Sequence, residues 1–119
     1  ALGQNVSTQD VLRFELDHAR ARDAIFAEAE VPRHAALTVS SQARTRHEYL
    51  RRPDLGRRLA ASCELPVGPF DIVIVLADGL SALALNRHAD NVMAALLPEI
   101  SAFRLAPVIF ARNARVALA

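Results

Sequence analysis

Apolar positions follow two regimes, helical spacing in the first half of the chain and continuous runs in the second. Thr8 suits a helix N-cap, with Gln9 and Asp10 favourable in the first turn. From Val11 onward, Leu12, Leu16, Ala19 and Phe26 share one helical face. Pro32 ends this helix at or just before Val31, because proline disfavours a helical residue ahead of it. Ala36 to Ser40 alternates enough for a short strand. Ser41 then caps a second helix through about Leu50, and Pro53 and Asp54 open a third reaching about Ser62.

Pro66, Gly68 and Pro69 punctuate a turn before the apolar run Ile72 to Ala77. A run apolar on both faces predicts a central strand of a parallel sheet. Asp78 to Ser81 is a tight turn. A helical pattern follows to about Phe103, with a break near His88 to Asp90 and a kink or end at Pro98. Pro107 opens a second apolar strand, Val108 to Ala111. Strand, helix, strand makes one parallel crossover. The expected fold class is therefore α/β, with a helical N-terminal region (residues 1–65) and a partial parallel β-α-β region (residues 66–119). One crossover is only half a sheet domain, so apolar surface is expected to be exposed. Both ends look cut from something longer.

Composition narrows the function classes. Of 119 residues, 52% are hydrophobic and 23% charged, which is globular and suits one domain. The net charge of +1 gives no global field for nucleic acid or acidic lipid. Every basic residue apart from histidine is arginine. The single cysteine, Cys63, has no internal disulfide partner and fits a reducing, cytoplasmic setting. No signal peptide pattern opens the chain, and the longest apolar run is too short to span a bilayer.

The most distinctive local feature is Asp78-Gly79-Leu80-Ser81 at the carboxyl end of the buried strand. Ligands of open α/β sheets bind in the crevice outside such strand ends, which makes Asp78 and Ser81 candidate binding residues. Gly79 permits close backbone approach, and Ser81 can cap the next helix, whose first amides attract anions. The plainer reading is a helix cap after a tight turn. The arginine-rich run Arg44 to Leu59, with Tyr49, hints at nucleic acid. It reads better as a solvated or partner-facing pair of helices with internal ion pairs. His18, His34, His47 and His88 have no ligand spacing, so no metal site is expected. There is no nucleotide fingerprint, nucleophile elbow or carboxylate dyad, and no catalytic residue is assigned.

Three segments together resemble one family. They are Leu12 to Ala24, Glu48 to Leu59 (containing Arg51-Arg52-Pro53-Asp54-Leu55-Gly56) and Ala77 to Ala82. In order and spacing they are similar to the small (light) subunit of ethanolamine ammonia-lyase, covering its middle portion. The resemblance implies a subunit of an adenosylcobalamin-dependent lyase that converts ethanolamine to acetaldehyde and ammonia by a radical route. It implies a TIM-barrel large subunit as partner in a hetero-oligomer. It also implies a Rossmann-like C-terminal part that helps enclose the cobalamin, bound with its dimethylbenzimidazole on cobalt. The D-x-H-x-x-G pattern of base-off cobalamin domains is absent, in keeping with that. The cofactor supplies the hard chemistry and the protein orients it.

Carried over residue by residue, the family's Arg-Val pair matches Arg115-Val116, which makes Val116 a cobalamin contact. Arg115 is expected to meet a polar group of the corrin or nucleotide tail, or to form a salt bridge to the large subunit. The Gly-Glu-Arg-Pro-Gly and Cys-Ile-Ser-Asn contact segments are absent from this chain, and Cys63 is not the cysteine of the latter. The isolated chain is therefore expected to be inactive. The alternative reading is a truncated, non-catalytic helical interaction module without cofactor binding. Packaging in a bacterial microcompartment stays open. Val116 and the Asp78–Ser81 turn are expected on one side of the sheet, at strand carboxyl ends.

Overall fold

The computed structural model describes residues 7–118. It contains helices α1 (Thr8–Phe26), α2 (Arg46–Arg51) and α3 (Ala82–Glu99), and strands β1 (Leu37–Ser40), β2 (Val75–Ala77) and β3 (Ile109–Arg112). The strands form one parallel sheet in the order β1-β3-β2. Ile109 pairs with Leu37 on one side and Val75 on the other, so β3 is the central strand. As expected, β2 and β3 are parallel neighbours joined through α3. The short strand expected over Ala36 to Ser40 is present as β1 and joins the same sheet, which so draws on chain from both sides of residue 65.

Helix α1 is capped by Ser7, one residue before the expected Thr8. The Ser7 hydroxyl accepts a hydrogen bond from the Asp10 amide. The helix ends at Phe26 because Ala27 turns extended. The segment after it finds its backbone partners on α3 instead. Glu30 N–H donates to the Asn86 side chain at 2.8 Å, and Asn86 donates back to the Glu28 carbonyl. His34 donates its amide to Asp90, and its Nδ1 lies 2.8 Å from the same carboxylate oxygen.

The predicted helices between residues 41 and 62 are mostly replaced. Ser41 cannot cap one, since its hydroxyl donates to the Asn113 carbonyl at 2.6 Å and accepts from the Ala43 amide. Thr45 caps the shorter α2, and Glu48 reaches back to the Arg44 amide, a variant of the capping box. Beyond Pro53 only a single 3-10 turn forms, Leu55–Arg57. Leu59 then bridges antiparallel to Ser41 beside β1.

The run Ile72 to Ala77 is strand only over its last three residues, with Ile72 making an isolated parallel bridge to Leu105. Helix α3 passes unbroken through His88 to Asp90, and Pro98 sits in its last turn. One face of β3 carries Phe110, fully buried with Ala82 and Ala29. The other face carries Ile109 and Ala111, buried with Val39 and Ala114. Leu59, Cys63 and Leu118 pack against that second face. It opens into an apolar groove of about 460 Å³ that includes Val73, Val75 and Leu118. Helix α1 buries no residue of its own, and Phe14 is 71% exposed. The expected exposure of apolar surface is therefore present on both the sheet and α1.

Candidate functional site at the strand ends

The carboxyl ends of β2 and β3 lead into a bend at Gly79 and a turn at Asn113. Asn113, just after β3, has φ of 49°, a left-handed conformation that asparagine tolerates. The turn brings Ala114, Arg115 and Val116 back across the end of β2, where Asp78 and Gly79 leave the sheet. A Cβ on Gly79 would overlap the Ala114 carbonyl oxygen and come within 2.6 Å of the Tyr49 hydroxyl. Glycine is needed here for close approach of two backbones.

Tyr49 holds this corner together. Its ring is 2% exposed and its hydroxyl donates to the Gly79 carbonyl at 2.9 Å. The Arg46 and Arg115 guanidinium carbons lie 4.7 and 4.8 Å from the ring centroid. Such distances are within cation–π range. Gly56 makes room for the ring edge, since a Cβ there would stand 2.8 Å from Tyr49 Cε2. The Gly56 carbonyl also accepts the Arg115 amide at 2.9 Å. A small cavity of about 230 Å³ results, lined by Tyr49, Gly79, Leu80, Ala114, Arg115 and Val116.

The four sequence-derived site residues fall into two groups. Arg115 and Val116 line this cavity together with Gly79 and Leu80 of the Asp78–Ser81 turn. Val116 is 93% exposed and Leu80 98%, an unusual placement for two apolar side chains in adjacent turns. Arg115 Nε is buried with no hydrogen-bond partner among the described residues. Asp78 and Ser81 turn elsewhere. The Asp78 side chain is buried and accepts the Ala114 amide at 3.4 Å, while its carbonyl accepts from Arg46. Burial pushes its carboxyl above the usual range, opposed by the Ala114 amide and the nearby Arg46 charge. The Ser81 hydroxyl accepts the Ala84 amide and caps α3, which is the plainer of its two sequence readings.

In sequence Tyr49 stands out only as the aromatic of a basic run, and Gly56 not at all as a site residue. Both lie in the Glu48–Leu59 segment that carries the family resemblance, but their pairing with Gly79 and Arg115 is made across the fold. The basic run itself is partly inward: Arg46 is 6% exposed, and Arg52 pairs with Asp54 at 2.9 Å. No group of three or more metal-ligating side chains occurs among the described residues. No helix among them is long and apolar enough to cross a membrane.

Residues 1–119 match the family model of the ethanolamine ammonia-lyase light chain (EutC). The chain is 44% identical to the ethanolamine ammonia-lyase small subunit of Bradyrhizobium diazoefficiens, over 98% of this chain and 51% of that protein. It is 39% identical to the same-named subunits of Ralstonia nicotianae and Rhodococcus erythropolis, again over 98% of this chain and covering 50% and 49% of theirs. The chain thus spans about half the length of the curated relatives it matches. By this match over its whole length, the chain belongs to the ethanolamine ammonia-lyase light chain family.

Proposed function

We propose that this chain serves as part of the small subunit of an adenosylcobalamin-dependent ethanolamine ammonia-lyase, with the corner of Tyr49, Gly79, Arg115 and Val116 forming one wall of the cobalamin site against the large subunit. The observation that carries the reading is the placement of two exposed apolar side chains beside a half-buried arginine at one corner. Leu80 and Val116 offer apolar contact, and Arg115 lines the same cavity with a guanidinium group. A cavity of about 230 Å³ is far too small to enclose a corrinoid, and the fit is that of an edge, not a pocket.

When bound, adenosylcobalamin supplies the radical chemistry that converts ethanolamine to acetaldehyde and ammonia. Here the chain's own residues have a positioning role. Val116 gives an apolar or backbone contact. Arg115, held by the Gly56 carbonyl and the Tyr49 ring, offers a donor to a polar group of the corrin or its tail. Asp78 and Ser81 act one step back, Asp78 by fixing the Ala114 amide and Ser81 by fixing the start of α3. The three-stranded sheet is then one part of a larger Rossmann-like sheet, whose further elements would cover the apolar groove beside Val75 and Leu118. Partnership with the large subunit accords with the bare apolar face of α1, and the alternative of a cofactor-free interaction module draws on that same face.

Cobalamin titration with and without a large subunit separates the two readings. The proposal expects spectroscopically detected cobalamin binding by the assembled pair to be tighter than by the large subunit alone. Assembly with no change in cobalamin affinity would favour the interaction module.

A further inference from the structure

A separate polar cavity adjoins the strand ends and shares Arg46 and Asp78 with the proposed cofactor corner. Its volume is about 210 Å³, and its lining comprises Ala27, Glu28, Arg44, Arg46, Asp78, Arg112 and Asn113. We infer that this cavity binds a phosphate-class oxyanion, held by the three arginines that line it, Arg44, Arg46 and Arg112.

The argument begins with the charges. Three arginines line the cavity with two acidic residues, and none of the three makes a salt bridge among the described residues. Arg46 is more than nine-tenths buried. It uses Nε to hold the Ile25 carbonyl at the end of α1 and Nη1 to reach the Asp78 carbonyl. Arg112 gives Nη1 to the Ala29 carbonyl and lies over the Phe110 ring. The Arg44 side chain makes no hydrogen bond among the described residues. Each guanidinium has five N–H donors in a fixed fork, so donors remain on all three.

The acids do not fill this role. Asp78 already accepts the Ala114 amide, and Glu28 is solvent-exposed and makes no ion pair among the described residues. Two of the guanidiniums are tethered by backbone carbonyls, so part of their ordering cost is met before a ligand arrives. The guanidinium fork matches phosphate oxygens in two-pronged pairs, which favours a tetrahedral oxyanion. The same chemistry is offered by free phosphate and by a phosphate ester on a larger ligand.

The test titrates the chain with inorganic phosphate and with methyl phosphate at constant ionic strength in chloride, reading the arginine Nε–H signals by NMR. Saturable shifts with either probe support the site. Binding of both indicates that an ester-borne group fits, and binding of inorganic phosphate alone indicates the free ion. Arg44→Gln leaves the fold's hydrogen bonds untouched and is expected to weaken binding by roughly five-fold. Arg112→Lys keeps the charge but loses the fork, and is expected to weaken binding while retaining wild-type thermal stability within a few degrees. No shift beyond that of chloride, or unchanged binding in Arg44→Gln, would overturn the inference.

Discussion

A single methyl group added at Gly79 probes the corner on which the candidate site depends. The Gly79→Ala side chain would overlap a backbone carbonyl, that of Ala114, and press on the Tyr49 hydroxyl at 2.6 Å. Neither neighbour is the loose end of a flexible side chain. The Ala114 backbone is fixed by the Asp78 carboxylate, and Tyr49 is buried and hydrogen-bonded. Relief therefore requires the β2 and β3 ends to move apart, straining or breaking the Tyr49–Gly79 hydrogen bond. Overpacking of this kind costs about 1–3 kcal/mol, which lowers the melting midpoint of a domain near this size by about 4–12 °C. Gly68→Ala is the control. Its new methyl would meet only the far end of the Phe70 ring, which can swing away, so the change should stay within about 0.5 kcal/mol. Urea unfolding followed by circular dichroism reads both variants. Equal stability of Gly79→Ala and Gly68→Ala would refute the close packing of the two strand ends.

Three further outcomes are expected. Tyr49→Phe deletes the donor to the Gly79 carbonyl and should cost about 1 kcal/mol in urea unfolding; a cost near zero would mean that the hydrogen bond does not hold the corner. Asp78 has a raised folded pKa, so its contribution favours folding at low pH and is lost as pH rises through that value. Asp78→Asn keeps an acceptor for the Ala114 amide and should remove that loss, and an unchanged pH profile would refute the assignment. Asp90 behaves oppositely, its carboxyl lowered chiefly by the hydrogen bond from His34. Its stabilisation is present above the ordinary aspartate value and lost as pH falls through the lowered one, so Asp90→Asn should flatten the acid limb of stability against pH.

The elements legible in sequence are those where local pattern and final environment agree. Ser81 reads as a helix cap and is one, and the Val108–Ala111 run reads as a buried strand and lies one residue away as β3. The two-sided apolar run before Asp78 reads as a fully covered strand, yet only Val75–Ala77 is regular strand, and Val73 and Val75 face an open groove. Apolar alternation cannot tell a covered face from one awaiting cover. The stretch from Ser41 to Ser62 misleads because its hydroxyls and arginines act across the fold. Ser41 binds Asn113, Arg46 ties α1 to Asp78, and both partners are distant in sequence. The corner around Tyr49 was unreadable for the same reason, although the Arg115-Val116 pair and the turn at Gly79 were both in view.

The central claim, that the corner at Gly79 and Val116 forms part of a cobalamin wall, is tested most directly by Val116→Asp. Val116 is 93% exposed and packs on little of the chain, so the substitution should leave folding intact. The quantity to measure is cobalamin affinity of the chain assembled with a large subunit, alongside ethanolamine affinity of the same assembly. Placing an unpaired carboxylate against an apolar ligand edge should weaken cobalamin binding by roughly ten-fold or more, with ethanolamine affinity unchanged. Wild-type cobalamin affinity in the assembled Val116→Asp variant would contradict the account.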